Sequence, residues 1–222
     1  MRDVLASQGI KPPRFANSVV ELQGTEEAMS TADKEIIERL HADFDEISSC
    51  FSALKGEAGV ISAAANVMTA ALRAGNKVFF CGNGGSAADC QHLAAELLGR
   101  YLKERDPLPA IALTVDTSAL TAIGNDYGYE QVFARQLRGL AKAGDVLVAL
   151  TTSGSSPNVL AAVRTAAAMG VRTIGMTGAG GGKLAAEVEI CIRVPHHRTN
   201  RIQEMHIAVG HALCGEVERA LC

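Results

Sequence analysis

The sequence predicts an α/β protein with one doubly wound, five-stranded parallel sheet. Short apolar runs rich in β-branched and aromatic residues alternate with longer Ala-rich stretches of helical character. The runs are apolar on both faces, as expected for parallel strands that helices cover on each side. The predicted strands cover about 77–81, 109–114, 145–150, 172–177 and 188–193. The predicted helices that follow them cover about 86–102, 117–140, 156–169, 182–187 and 200–221.

Two further helices are predicted before the first strand. Ser30 and Asp33 form a capping pattern, and apolar residues then recur at helical spacing as far as Leu54. A second helix fits about 57–74, where Gly75-Asn76 ends it. Residues 1–30 are mixed and polar, so we expect a flexible N-terminal extension there, followed by one domain over 31–222.

Composition excludes several classes of function. The 222 residues carry a net charge of −3, with 48% apolar and 4% aromatic residues and no basic patch, so we expect no nucleic-acid partner. No apolar run reaches the roughly 18 to 20 residues of a membrane span, so we expect no membrane partner. The six cysteines show no C-x-x-C spacing, which favours a reduced, cytoplasmic protein.

A glycine-rich turn follows the first predicted strand. Residues Gly82-Asn83-Gly84-Gly85-Ser86 precede a helix, so backbone N–H groups and the positive end of the helix dipole favour an anion there. The turn also matches the dinucleotide pattern G-x-G-x-x-A, but Asp116 lies too far along the chain for the ribose-binding acid. A tight turn without a ligand remains an alternative.

A hydroxyl-rich turn follows the third predicted strand. Residues Thr151-Thr152-Ser153-Gly154-Ser155-Ser156 precede Pro157, which suits the first turn of a helix. Five hydroxyls at a helix N-terminus can donate to a phosphate without a basic side chain, although such clusters also serve as simple caps. Neither turn is a Walker A loop, which disfavours nucleotide triphosphate hydrolysis.

The remaining candidates carry acid–base or metal-binding groups. His92 and Glu96 lie at i, i+4 on the helix that the glycine-rich turn opens, a spacing suited to a metal ion or to a base and its partner. On the last helix, spacing alone favours Glu204 over Gln203 as the partner of His211. The other prominent histidines are interpreted as surface or loop residues; they are His41, His196 and His197.

These motifs, taken in order, resemble the sugar isomerase (SIS) domain family and, within it, the phosphoheptose isomerases. The resemblance covers about residues 35–221. Its segments are Gly82 to Ser86, Gln91-His92 to Glu96, Gly124-Asn125-Asp126, Thr152 to Ser156, Arg193-Val194-Pro195 and Arg201-Ile202-Gln203-Glu204 to His211. It implies interconversion of sedoheptulose 7-phosphate, a phosphorylated seven-carbon sugar, with D-glycero-D-manno-heptose 7-phosphate. It also implies an early role in bacterial surface heptose synthesis and a cytoplasmic homotetramer with one Zn²⁺ per subunit.

The same resemblance implies roles for individual residues. The implied metal ligands are His92, Glu96, Gln203 and His211, of which Glu96 and His211 are also implied in catalysis. The implied substrate-binding residues, in addition to Glu96 and Gln203, are Asn83, Gly84, Gly85, Ser86, Asn125, Asp126, Thr151, Thr152, Ser153 and Ser156. If Gln203 and His211 share one ion, we expect either an irregular last helix or ligands from different subunits.

Two rival functions come from the same family. One is a catalytically silent protein that binds the bacterial replication initiator, and members of that kind lack the Glu and the late His. Glu96 and His211 are both present here, which favours the enzyme. The other is a sugar-phosphate sensor of the kind found in transcription regulators, but the chain has no helix-turn-helix segment or basic surface to accompany it.

Overall fold

The structure is a computed structural model that describes residues 30–222. The predicted extension over 1–30 therefore lies almost wholly outside the described residues. Contacts within the chain divide it into one unit that ends at Asp45 and a second unit, Glu46–Cys222, and the two are described separately.

The described part of the first unit is the start of helix α1. The Asp33 N–H donates to the Ser30 hydroxyl at 3.2 Å, and that hydroxyl donates to the Asp33 carboxylate at 2.7 Å. The predicted capping interaction is thus confirmed. Ile36, Leu40 and Phe44 expose between 47% and 61% of their surface, so this unit does not bury the apolar face of the helix.

Helix α1 begins in the first unit and ends in the second, where strands and helices then alternate, as predicted. Helices α1 to α8 span Thr31–Leu54, Ala58–Arg73, Gly85–Leu98, Thr117–Tyr127, Val132–Leu140, Pro157–Ala168, Leu184–Glu187 and Thr199–Leu221. Strands β1 to β5 span Val78–Gly82, Ala110–Ala112, Val146–Leu150, Arg172–Gly178 and Ile190–Val194. Short 3₁₀ turns cover Lys55–Glu57 and Tyr129–Gln131. No described helix is both long and apolar enough to cross a membrane.

The sheet is parallel throughout, with strand order β2-β1-β3-β4-β5. Strand β1 therefore lies between β2 and β3, and the order reverses direction at the β1/β3 pair. In open α/β sheets, ligands bind beyond the carboxyl ends of the strands at such a switch point. The fold directs attention to the segments that follow β1 and β3.

Each face of the sheet has its own apolar core. Val78 and Phe80 of β1 join a core with helices α2, α3 and α8, whereas Phe79 and Cys81 join a core with α5 and α6. The side chains alternate because successive residues of a strand point to opposite faces. This is the doubly wound arrangement that the sequence predicts.

Two predicted helices are too long. The helix predicted over 117–140 is divided into α4 and α5, because Gly128 adopts φ +83° and the 3₁₀ turn Tyr129–Gln131 follows it. The helix predicted over 86–102 ends at Leu98. Beyond Leu98 the chain turns because Glu218 accepts hydrogen bonds from the backbone N–H groups of Tyr101, Leu102 and Lys103.

Candidate active site

The glycine-rich and hydroxyl-rich turns lie side by side at the switch point. We call residues 82–86 the glycine loop and residues 151–156 the serine loop. Strands β1 and β3 pair in register, and their last residues, Gly82 and Leu150, lie opposite each other. Both loops therefore begin side by side at the same edge of the sheet. A Cβ atom on Gly82 would lie 3.1 Å from the Leu150 carbonyl oxygen. Glycine therefore permits the close approach of the two strand ends.

Hydrogen bonds between side chains join the two loops. The amide of Asn83 donates to Asn158 at 2.9 Å, and the amide of Asn158 donates back to Asn83 at 2.8 Å. Asn158 lies in the first turn of α6 and is 3% exposed, so its side of this reciprocal pair is buried. The Tyr129 hydroxyl also donates to the Asn83 side-chain oxygen, at 3.4 Å. The loops therefore form one structural unit.

Hydroxyl groups of the serine loop converge on one another. The Thr151 hydroxyl lies 2.8 Å from that of Ser156 and 3.4 Å from that of Ser153. Gly154 adopts φ +65°, and its Cα lies so close to the backbone of Gly181 that a side chain would not fit. The loop is thus held in a tight turn before α6, whose N-terminal N–H groups point to the same place.

The acid–base candidates meet between two helices. His92 and Glu96 project from α3, the helix that starts in the glycine loop, and their Nε2 and Oε1 atoms are 3.4 Å apart. His211 projects from α8, and its Nε2 lies 2.8 Å from Nε2 of His92. One potential ligand atom from each of these three residues lies within 4.8 Å of the others. We call these residues the His/Glu cluster.

The helices α3 and α8 approach closely where the cluster forms. Gly210 precedes His211 on α8. A Cβ atom at position 210 would lie 2.5 Å from the side chain of Leu93, the residue that follows His92 on α3. Any larger residue at position 210 would push α8 away from α3. A glycine on the last helix is therefore part of how the cluster is assembled.

Gln203 and Glu204 have different neighbours. The Gln203 amide packs on Gly85, where a Cβ atom would lie 2.5 Å from its Nε2. The Glu204 carboxylate instead accepts hydrogen bonds of 2.7 and 2.8 Å from buried Arg201. Within the chain Glu204 therefore pairs with Arg201 and not with His211, the partner that spacing alone favours, because the ion pair turns this carboxylate toward Arg201.

Comparison with known proteins shows the family to which the chain belongs. The family model for the SIS domain matches residues 44–178. A phosphoheptose isomerase from Rhodospirillum rubrum is 63% identical over 175 residues, which are 79% of this chain and 93% of that protein. The chain belongs to the phosphoheptose isomerase family, within the SIS domain proteins.

Solved structures of phosphoheptose isomerases have the same fold. That from Neisseria gonorrhoeae has a TM-score of 0.79 and 45% identity, with 83% of this chain and 99% of that chain covered. That from Francisella tularensis has a TM-score of 0.79 and 37% identity, with 86% and 100% covered. The predicted family and fold are confirmed.

Two candidate residues of this phosphoheptose isomerase fold bond to each other rather than to the loops. Asn125 and Asp126 lie at exposed positions near the end of α4, and the Asn125 amide donates to the Asp126 carboxylate at 2.8 Å. Within residues 30–222, the side-chain hydrogen bonds do not connect them to either loop or to the His/Glu cluster. Their role in binding stays a prediction.

Sequence reasoning missed several residues beside the site. His196 and His197 lie on the loop after β5, as predicted, and both also line a cavity of about 170 Å³ with Thr152 and Ser153 of the serine loop. Their position in the sequence could have indicated this location. They follow the last strand of a parallel sheet, and the loops that follow such strands lie at one edge of the sheet.

Asp89 is a second omission, one turn before His92. Burial raises the pKa of its carboxyl group, and the nearby imidazoles of His92 and His211 oppose that rise. One of its oxygens is buried without a hydrogen-bond partner among the described residues. Asp89 thus adds a third acidic or imidazole group to the same face of α3.

Proposed function

We propose that this aldose–ketose isomerase interconverts sedoheptulose 7-phosphate and D-glycero-D-manno-heptose 7-phosphate, at an early step of bacterial surface heptose synthesis. The observation that carries the proposal is a single arrangement on α3. This helix begins in the glycine loop, which is bonded to the serine loop, and two turns later presents His92 and Glu96 to His211. A ligand with a phosphate at one end and a carbonyl at the other matches that arrangement.

The two loops supply the phosphate end of the proposed site. The proposed donors are backbone N–H groups of Gly84 and Gly85 together with side chains of Ser86, Thr152 and Ser153. Thr151 and Ser156 bond to each other and hold the turn in shape, in addition to the contacts proposed with substrate. Two helix N-termini, those of α3 and α6, favour the negative charge of the phosphate.

The His/Glu cluster supplies the reacting end. Moving the carbonyl between C2 and C1 requires removal of a proton from C1, formation of an enediolate and return of a proton to C2. We assign Glu96 as the base that takes and returns the carbon-bound proton. We assign His211 to the proton transfer between the two oxygens. Positioned groups of this kind each contribute roughly 10²- to 10⁴-fold to the rate.

We propose one Zn²⁺ per subunit, held by His92, Glu96, His211 and Gln203. Two imidazoles and a carboxylate whose ligand atoms lie within 4.8 Å form a donor set suited to this borderline ion. When bound, Zn²⁺ acts as a Lewis acid that polarises the substrate carbonyl. A carboxylate that ligates a metal is a weaker base, so Glu96 would serve as a ligand or as the base, but not as both at once.

The fourth proposed ligand requires a second subunit. Helix α8 is continuous over Thr199–Leu221, so Gln203 and His211 lie about 12 Å apart along its axis. In one chain, Gln203 packs at the start of α3 while His211 packs two turns later. We therefore propose that Gln203 of the partner subunit completes the metal site, in a cytoplasmic homotetramer.

An isomerase assay tests the proposed function. Purified protein loaded with Zn²⁺ is incubated with sedoheptulose 7-phosphate, and formation of the aldose is followed by chromatography and mass spectrometry. We expect equilibrium between ketose and aldose, with exchange of one carbon-bound hydrogen for deuterium in D₂O. Absence of turnover with and without added metal would leave the silent, binding member of the family as the better explanation. Native mass spectrometry of the same sample reports subunit number and bound zinc.

A further inference from the structure

His211 has a second ring neighbour in addition to His92. The rings of Tyr101 and His211 stack at 26°, with centroids 5.7 Å apart. The ring of His92 meets His211 edge-on, at 71° and 5.0 Å. His211 therefore contacts two rings, one stacked on it and one meeting it edge-on, and these contacts limit rotation about its side-chain bonds.

The Tyr101 ring has a fitted place on α8. Position 215 lies one turn beyond His211 and is a glycine, and a Cβ atom there would lie 3.2 Å from Cε1 of Tyr101. This distance is shorter than an ordinary contact between such atoms. Glycine at position 215 thus makes room for the ring that packs on His211.

The backbone of Tyr101 is fixed by a buried ion pair. Glu218, 2% exposed, accepts hydrogen bonds from the N–H groups of Tyr101 at 3.1 Å and of Leu102 and Lys103 at 2.9 Å. Arg105, 3% exposed, donates its Nε to the same carboxylate at 3.1 Å. Burial tends to raise the pKa of Glu218, but these donors outweigh it and the pKa is lowered. The carboxylate therefore stays charged and holds the turn.

Arg105 also contacts the helix that carries Glu96. Its guanidinium donates to the backbone carbonyl oxygens of Glu96 at 2.8 Å and Leu97 at 2.9 Å, at the C-terminal end of α3. Carbonyl groups there lack partners within the helix, so a buried cation satisfies them. One ion pair thus connects the end of α3, the turn that carries Tyr101 and the last turns of α8.

We infer that Tyr101 is a positioning residue for the isomerase reaction, which orients the His211 ring through its own ring, held there by Glu218 and Arg105. The inference rests on the proposed function, because it assigns Tyr101 a role only through His211. Its ring, not its hydroxyl group, makes the contact. The effect belongs to the reacting end and leaves the phosphate end unchanged.

Steady-state kinetics with sedoheptulose 7-phosphate test the inference. We expect Tyr101→Ala to lower kcat between about 10- and 100-fold, as small misplacements of a reacting group do, with KM changed less than about twofold. Tyr101→Phe keeps the ring, so we expect kcat and KM close to those of the wild type. Leu102→Ala is the matched control, because Leu102 is the next residue of the same turn and is 68% exposed.

A double-mutant cycle separates positioning from a general loss of structure. In a His211→Gln background, we expect Tyr101→Ala to cause no further fall in kcat, because the residue it orients is gone. Gly215→Ala pushes on the same ring and should lower kcat a few-fold without affecting KM. This variant also tests the inference if Tyr101→Ala does not fold.

Several outcomes overturn the inference. They are a wild-type kcat in Tyr101→Ala, a loss in Tyr101→Phe as large as in Tyr101→Ala, or an equal further loss in the His211→Gln background. Each of these requires an active wild-type protein, so each is distinct from failure of the proposed function, in which the wild type itself gives no turnover.

Discussion

The loops and the His/Glu cluster are assembled in different ways. The loops are local segments that follow neighbouring strands. They are joined by hydrogen bonds between Asn83 and the buried Asn158. The cluster joins residues 119 positions apart, and the side chain of His92 in it is 48% exposed. Exposed groups can reach a reacting carbon and move protons, whereas the buried pair keeps a fixed shape for an anion. This difference supports the proposal of a rigid phosphate end and a more accessible reacting end.

The largest effect is expected at the reacting end. Glu96→Gln removes the proposed base while keeping the size of the side chain, so kcat should fall roughly 10²- to 10⁴-fold with little change in KM. Glu104→Gln is the matched control, because the Glu104 side chain is 91% exposed. Steady-state kinetics with sedoheptulose 7-phosphate measure both. A Glu96→Gln enzyme with near-normal kcat would remove this residue from the mechanism.

A smaller effect of a different kind is expected at the phosphate end. Ser153→Ala deletes one proposed donor to a charged phosphate, worth about 1.5 to 3 kcal/mol, so KM should rise roughly 10- to 100-fold. The kcat at saturation should stay within about threefold of the wild type, because the cluster is unchanged. Thr165→Ala, farther along α6, serves as the control. A fall in kcat with constant KM would contradict the division of the site into two ends.

The bond between the loops should matter for stability as well as for binding. Asn158→Ala leaves the Asn83 amide without its buried partner, so we expect a loss of up to about 3 kcal/mol in the free energy of unfolding. Urea unfolding measures it, and the KM for the sugar phosphate should rise in the same variant. If stability falls while KM does not, the two loops bind independently.

A buried histidine should make the stability depend on pH. His206 of α8 is fully buried, and burial lowers its pKa to about 4, although the nearby Thr177 backbone opposes the change. The unfolded chain takes up a proton near pH 6.5 and the folded chain does not, so stability is full above that pH. It falls as the pH drops toward 4. The loss amounts to about 2 kcal/mol at pH 5.

Thermal unfolding from pH 7.5 to pH 5 tests this expectation. His206→Leu should flatten the decline in Tm, whereas His41→Leu, at an exposed position, should not change it. An equally steep decline in His206→Leu would assign the acid sensitivity to other groups.

Local features of the fold and site were predictable from the sequence. The Ser30 cap, the five strands and both loops depend on neighbouring residues, and each lies within a few positions of its prediction. The sequence also contains a signal for the break between α4 and α5. This signal is Gly128, which follows Asn125-Asp126-Tyr127 and takes a left-handed conformation in the structure. The pattern of apolar residues on either side concealed it.

Features that depend on contacts between distant segments were not predictable. Spacing along α8 favours Glu204 as the partner of His211. Spacing cannot show that Arg201 is buried and donates hydrogen bonds to the Glu204 carboxylate. Tyr101 gave no signal, since its partners lie more than a hundred residues away on the last helix. The resemblance to a family named Gln203, but the structure shows where its side chain packs.

The ion pair of Arg105 and Glu218 gives the end of the chain an unexpected importance. Helix α8 continues three residues beyond Glu218, and Cys222 is exposed. Shortening the chain to residue 218 keeps the carboxylate that holds the turn at Tyr101. Removing one residue more releases that turn and leaves the buried guanidinium of Arg105 without its carboxylate partner. A truncation after Val217 should therefore disturb the turn at Tyr101, whereas a truncation after Glu218 should leave its hydrogen bonds in place.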